Sequence, residues 1–250
     1  MNIKEYYSLV AKVYFNQVII ISIYTTICLF ILFSLGITIN IVLLCGLICI
    51  ILIYFFFKYH YYVYRHSKAS FLLNSQEKFI HDNKRFLVMY VPARNIQIRL
   101  FKSNGLCEWE ISEKRIPKLK TFFQTTSIYQ IKKRDGSILA TFKLDSSNKI
   151  AAGLSYNKER LILTHNNREK NKHSFSVNKI EYSIVKKSSA IEFNKENKVI
   201  ARIERGIMPI NWQKQFSPNT PIIEFIESIE EIDFYILVCL LIYFFRNYYY

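Results

Sequence analysis

The sequence predicts an N-terminal transmembrane helical hairpin followed by an all-β antiparallel barrel enclosing a hydrophobic C-terminal helix. Three observations predict it. Two charge-free apolar blocks fill residues 18–35 and 37–57. From about residue 85, β-branched and aromatic residues alternate with polar ones in short segments broken by turn chemistry. Near the end, Asp233 and Arg246 bracket twelve consecutive apolar residues, FYILVCLLIYFF.

The first apolar block reads VIIISIYTTICLFILFSL and the second ITINIVLLCGLICIILIYFFF. A helix rises 1.5 Å per residue and a hydrocarbon core is about 30 Å thick, so each block is near spanning length. Gly36 lies between them and predicts a helix stop, which makes the hairpin tight. Thr25, Thr26 and Asn40 are expected to bond backbone carbonyls or to pair across the hairpin. A cleaved signal peptide fits poorly, because the first block exceeds an h-region and no A-x-A site precedes the second.

Lys4 and Lys12 precede the first span, Lys58, Arg65 and Lys68 follow the second, and the connecting turn is uncharged. The positive-inside rule therefore puts both outer ends, and everything after about residue 58, in the cytoplasm. Residues 1–17 read as a cytoplasmic amphipathic N-terminus. Residues 58–84 read as a juxtamembrane linker, in which Tyr61–His66 carries the second helix through the headgroup layer. The five cysteines are scattered, an odd number with no C-x-x-C pair, which argues against a disulfide framework or a zinc site and for a reducing compartment. A composition rich in Ile, Asn, Lys and Tyr points to an AT-rich bacterial genome, hence a bacterial cell membrane.

Eleven strand-like segments follow: RFLVMYV, IQIRLF, CEWEI, SIYQIKK, SILATFKL, KIAAGLSY, RLILTH, HSFSVN, IEYSIVKK, SAIEFN and VIARIER. Gly, Asn, Asp and Ser fall between them, at Ser103–Gly105, Arg134–Ser137, Ser146–Asn148, Asn166–Asn167 and Asn194–Asn197. This rhythm is that of a barrel or sandwich rather than of βαβ units. A short helix is expected within Glu113–Phe123. The clearest hairpin is YQIKKRDGSILATFKLD, with Tyr129, Ile131, Ile138, Ala140 and Phe142 facing inward. AIEFNKENKVIARIER is a weaker copy, with Ile191, Phe193, Val199, Ala201 and Ile203 inward, and the pair hints at an internal repeat.

Twelve apolar residues make about 18 Å of helix, short of a bilayer core. The favoured reading is a central helix over 233–246, buried by inward-facing barrel residues, with Asp233 as N-cap and the preceding acids at the helix start. A third membrane span is the alternative.

An antiparallel barrel closing on a hydrophobic C-terminal helix resembles the tubby C-terminal-like superfold, the group of tubby domains, LURP-one proteins and phospholipid scramblases. The residues that carry the resemblance are the Y-x-I-x-x-x-D-G-x-x-x-A-x-F hairpin at Tyr129–Phe142, the second hairpin at Ile191–Ile203, the SPNTPIIEF lead-in and the final IDFYILVCLLIYFF, together covering about residues 85–250. The resemblance implies a barrel around a helix and, from tubby domains, headgroup binding through basic residues. The calcium-linked role of scramblases finds no D-x-D-x-D loop here. The N-terminal hairpin departs from tubby and makes membrane recruitment by lipid redundant.

No catalytic signature emerges. There is no G-x-S-x-G elbow, P-loop or G-x-G-x-x-G. The five histidines lack metal-ligand spacing and read as solvated or interfacial, and no metal or cofactor is expected. Glu108 and Glu110 flank Trp109 and read as the solvent face of a strand burying that Trp. A net charge of +15 on a tethered domain suits anionic lipid better than nucleic acid. Four basic clusters stand out: Lys114, Arg115, Lys118 and Lys120; Lys132, Lys133 and Arg134; Arg168, Lys170 and Lys172; and Lys186 and Lys187. The first two are the candidate headgroup contacts, and a solvated, edge-protecting charge set is the alternative. The expectation is a non-enzymatic, membrane-integral binding or scaffold module for anionic lipid or another membrane protein, without nucleic acid. A three-span lipid- or small-molecule-handling protein, a tethered pleckstrin-like domain and an immunity factor are the alternatives.

Overall fold

The computed structural model describes residues 1–36, 41–69, 84–92, 96–114, 127–144, 150–156, 159–168, 171–206, 208–226 and 229–248. They fall into two compact units, Met1–Phe71 and Leu72–Tyr250.

The first unit is two contacting helices, α1 (Ile3–Ser34) and α2 (Ile41–Lys68). A capping box starts α1: the Asn2 side chain accepts from the Glu5 N–H while the Glu5 carboxylate accepts from the Asn2 N–H. Helix and N-terminal segment are continuous, so the amphipathic residues and the first apolar block form one rod. Gly36, at φ +63°, follows the C-cap Leu35 in the left-handed conformation that terminates helices. The hydroxyls of Thr25 and Thr26 donate to the carbonyls of Ile21 and Ser22, as expected, whereas Asn40 lies outside the described residues. Near the charged ends, Tyr14 stacks on Tyr62 and the Arg65 guanidinium lies over the Tyr7 ring. Residues 58–68 of the expected linker are the last turns of α2. Both helices are long and apolar enough to cross a membrane, and no residue of either apolar window is buried.

The second unit is a closed barrel of twelve antiparallel strands. They are β1 (Arg85–Val91), β2 (Gln97–Phe101), β3 (Cys107–Glu113), β4 (Ser127–Lys133), β5 (Ile138–Leu144), β6 (Ile150–Tyr156), β7 (Glu159–Arg168), β8 (Lys172–Val177), β9 (Ile180–Lys186), β10 (Ala190–Lys195), β11 (Lys198–Glu204) and β12 (Ile222–Phe225). Every strand pairs with its sequence neighbours, and β12 closes the ring on β1. The predicted segments correspond to β1–β11. β12 lies in what reads as a lead-in, and a one-turn helix, α3 (Ile210–Gln213), precedes it. Twelve paired strands exceed a pleckstrin-like domain. Of the helix expected over Glu113–Phe123, Glu113 belongs to β3, Lys114 is not helical, and the rest lies outside the described residues.

The last helix, α4 (Glu231–Tyr248), fills the barrel. Residues 234–242, 244 and 245 are all buried, and they form one core with Val88, Ile98, Leu100, Ile111, Tyr129, Phe142, Phe175, Ile184, Phe193 and Ile203 of the wall. A helix apolar on every face is stable in water only when something surrounds it, and the closed sheet does. This excludes α4 as a third span.

The two look-alike hairpins share more than sequence. In each, one residue of the return strand is bulged opposite the same position: Ile131 pairs Ala140 and Lys132 pairs Ile138, while Phe193 pairs Ala201 and Asn194 pairs Val199. The bulge reverses the alternation, so Leu139 and Ile200 face inward instead of the expected Ile138 and Val199, and Ile138 is 53% exposed. The β4–β5 and β10–β11 hairpins lie six strands apart, halfway round the ring. The β8–β9 and β10–β11 connections are two-residue turns, Asn178-Lys179 and Glu196-Asn197, with positive φ at all four residues.

Candidate functional site: the helix-entry end of the barrel

Strands of an up-and-down barrel alternate in direction, so the β2–β3, β4–β5, β8–β9 and β10–β11 turns share one end. The chain enters β1 and α4 at this same end. The described members of the other basic clusters lie at the opposite end: Lys114 leaves β3 beside Ile128, Arg168 ends β7, Lys172 opens β8, and Lys186 and Lys187 leave β9. The structure therefore separates Lys114 from the second candidate cluster. Lys132, Lys133 and Arg134 sit at helix entry, while Lys114 sits a strand length away. Arg115, Lys118 and Lys120 lie outside the described residues.

At helix entry α4 is pinned by one carboxylate. Asp233, 4% exposed, accepts from the Tyr182 hydroxyl at 2.7 Å and from Lys195 Nζ at 3.0 and 2.9 Å. It sits inside the first turn and is not the expected N-cap. Its partners are on β9 and β10, so it ties helix to wall. Burial, and then the hydrogen bond to Asp233, pushes the Tyr182 phenol well above its ordinary range.

Beside this clasp lies a cleft of about 440 Å³ between the first turns of α4 and strands β1, β3, β4, β5 and β12. Four rings form its wall, each against two others. Phe86 meets Trp109 at 4.8 Å and Phe225 at 5.8 Å, and Phe234 meets Trp109 at 4.6 Å and Phe225 at 6.0 Å. Leu139, turned inward by the bulge, adds an aliphatic wall. The polar lining residues are Lys84, Lys133, Glu108, Glu231 and the hydroxyl-bearing Tyr235. Both acids are engaged: Glu108 pairs Lys102 at 3.1 Å, and Glu231 accepts from the Tyr235 hydroxyl at 2.6 Å. Lys84 and Lys133 are exposed, and neither makes an ion pair among the described residues.

At the β4–β5 tip, the Asp135 carboxylate accepts from the Ser137 N–H and hydroxyl, which hold it below the ordinary carboxylate range. It serves the turn and forms no ion pair with Lys132, Lys133 or Arg134. Gly136, at φ +86°, completes the turn.

Glu108 and Glu110 pair different cations, Lys102 and Arg99, and Trp109 is partly buried against the core. His173 is buried in the wall and His165 lies 6.0 Å from it beside Phe175 and Tyr243, so these two are packed rather than solvated. Among the described residues no three His, Cys, Asp or Glu side chains gather as a metal site. Cys107 and Cys239 are buried as small hydrophobes, and burial pushes the Cys107 thiol up to about 11. No family model, curated protein or solved structure matches the chain.

Proposed function

We propose that this chain is a membrane-anchored, non-enzymatic binding module whose basic β4–β5 tip contacts anionic lipid headgroups on the cytoplasmic side of a bacterial membrane. The observation that carries the reading is the tip itself. Three consecutive cations stand on a two-strand turn, and the one acid beside them is turned back onto Ser137. The two apolar helices supply the anchor. The positive-inside count supplies the orientation. The order of elements, a closed barrel followed by a helix that fills it, supports a likeness to the tubby, LURP-one and scramblase group. Tubby domains of that group also meet headgroups through basic residues, although fold alone does not carry function.

The test uses the full chain in zwitterionic nanodiscs, floated with phosphatidylcholine vesicles with or without phosphatidylglycerol. Each cation near an anionic surface contributes about 1 kcal/mol, so changing Lys132, Lys133 and Arg134 to Gln should weaken association roughly a hundredfold. Raising salt from 0.1 M to 1 M shortens the screening length from about 10 Å to about 3 Å and should abolish it. If no association with anionic vesicles appears at low salt, the lipid reading fails and an acidic protein partner takes its place.

A further inference from the structure

The aromatic cleft at helix entry is not needed for headgroup contact at the tip. Its volume is that of a small-molecule site, and its lining has the composition of one: apolar walls with a few convergent polar groups. The rings are in mutual contact, so they form a continuous surface rather than a cage around a cation. The charge at its mouth is asymmetric in availability. Glu108 and Glu231 are already bonded within the protein, while Lys84 and Lys133 are free of ion pairs among the described residues. A ligand seated here would put an apolar body on Phe86, Trp109, Phe225 and Phe234 and meet two available ammonium groups at the rim.

We propose that this cleft binds an amphiphilic anion: an alkyl chain lies against the four rings, and a carboxylate or phosphate is held between Lys84 and Lys133. The chain has two possible sources, a bilayer lipid or a free monomeric amphiphile, and both present the same chemistry. Tip and cleft share Lys133 but make separable claims. The tip needs only exposed charge. The cleft needs the apolar wall.

Photolabelling of the full chain in phosphatidylcholine nanodiscs tests this directly. The probes are diazirine-bearing decanoate, the matching decyl alcohol and the matching decyltrimethylammonium, each normalised to its partition into empty nanodiscs. Decanoate should label peptides containing Phe86, Trp109, Phe225 or Phe234. A charge-assisted bond is worth about 1.5–3 kcal/mol, so the alcohol should label them at least about tenfold less. Leu139→Trp, which fills the cleft, should abolish labelling yet leave vesicle flotation intact. The paired surface changes Lys84→Ala and Lys133→Ala should reduce decanoate labelling to the alcohol's level without altering near-ultraviolet circular dichroism. Lys132→Ala with Arg134→Ala should weaken flotation and spare the labelling. Protection by unlabelled decanoate alone identifies a free amphiphile, and protection by phosphatidylglycerol in the disc identifies a bilayer lipid. The proposal is overturned by equal or preferential labelling of the cleft peptides with the neutral or cationic probe, by decanoate labelling within Leu72–Tyr250 that misses the cleft, or by protection from neither competitor.

Discussion

Leu240→Ala probes whether α4 is enclosed by protein. Leu240 is 2% exposed, midway along the helix, within a wall closed by hydrogen-bonded strands on all sides. The substitution removes three carbons, worth about 0.8 kcal/mol each, or about 2.4 kcal/mol of transfer free energy. A cavity term adds to this, and a closed ring of paired strands relaxes inward less easily than a surface helix. Large-to-small changes at such sites cost about 3–5 kcal/mol. That is a large fraction of the 5–15 kcal/mol typical of a folded domain. In a helix facing lipid, the same change would lose only the few tenths of a kcal/mol that separate Leu from Ala on insertion scales. The assay is urea unfolding of the full chain in nanodiscs, with Trp212→Phe as background so that Trp109, packed on Phe234, reports the core. Ile138→Ala, at a half-exposed position, serves as a control and should cost under about 0.5 kcal/mol. A Leu240→Ala cost below about 1 kcal/mol would refute the enclosed-helix reasoning.

Asp233→Asn should destabilise by about 2–4 kcal/mol, discounted from a fully buried pair because Lys195 is 26% exposed. A double-mutant cycle with Lys195→Met should recover a coupling above about 1 kcal/mol, and additivity would show that the clasp contributes nothing. The Tyr182 phenol is raised on folding, so the folded state holds its proton where the unfolded state loses it. The Tyr182 contribution should be full below about pH 10 and be lost as pH rises beyond it, so the alkaline fall in stability should be less steep in Tyr182→Phe, as read by urea midpoints. Lys179 sits at φ +71° in a two-residue turn, so Lys179→Gly should raise the melting stability by about 0.5–1 kcal/mol, and a loss instead would mean its side chain matters to packing.

Much of the architecture is legible in one sequence because it rests on periodicity. Eleven strands alternate over enough residues to declare themselves, and the two apolar blocks and the bracketed FYILVCLLIYFF run do so by length and charge. β12 does not, because Ile222–Phe225 is four residues long and differs little from an ordinary extended lead-in. Yet it closes the barrel. The bulges opposite Ile131 and Phe193 carry an extra residue, Leu139 and Ile200, and alternation alone puts Ile138 and Val199 on the wrong face. Asp233 follows the N-cap preference of its type, but Tyr182 and Lys195 outbid the helix's own N–H groups from far away in sequence. The cleft had no local signal at all. Its walls come from Phe86, Trp109, Phe225 and Phe234, and only closure of the ring brings them together. Lys133 stands out in the sequence for its charge run, not for a place at a cavity.

The enclosure of α4 also sets a schedule. The Arg85–Glu224 ion pair that accompanies ring closure joins residues 139 positions apart, so β1 must wait until β12 has been synthesised. The helix that fills the ring follows β12 and leaves the ribosome after every strand of the wall. Pairing this distant is slow, and unfilled walls expose apolar surface while they wait. If α1 and α2 hold the chain in a bilayer, an apolar helix emerging near it would risk insertion. Its twelve-residue core, bracketed by Asp233 and Arg246, is too short to cross comfortably. The same brevity that fits it inside the barrel would keep a membrane from competing for it.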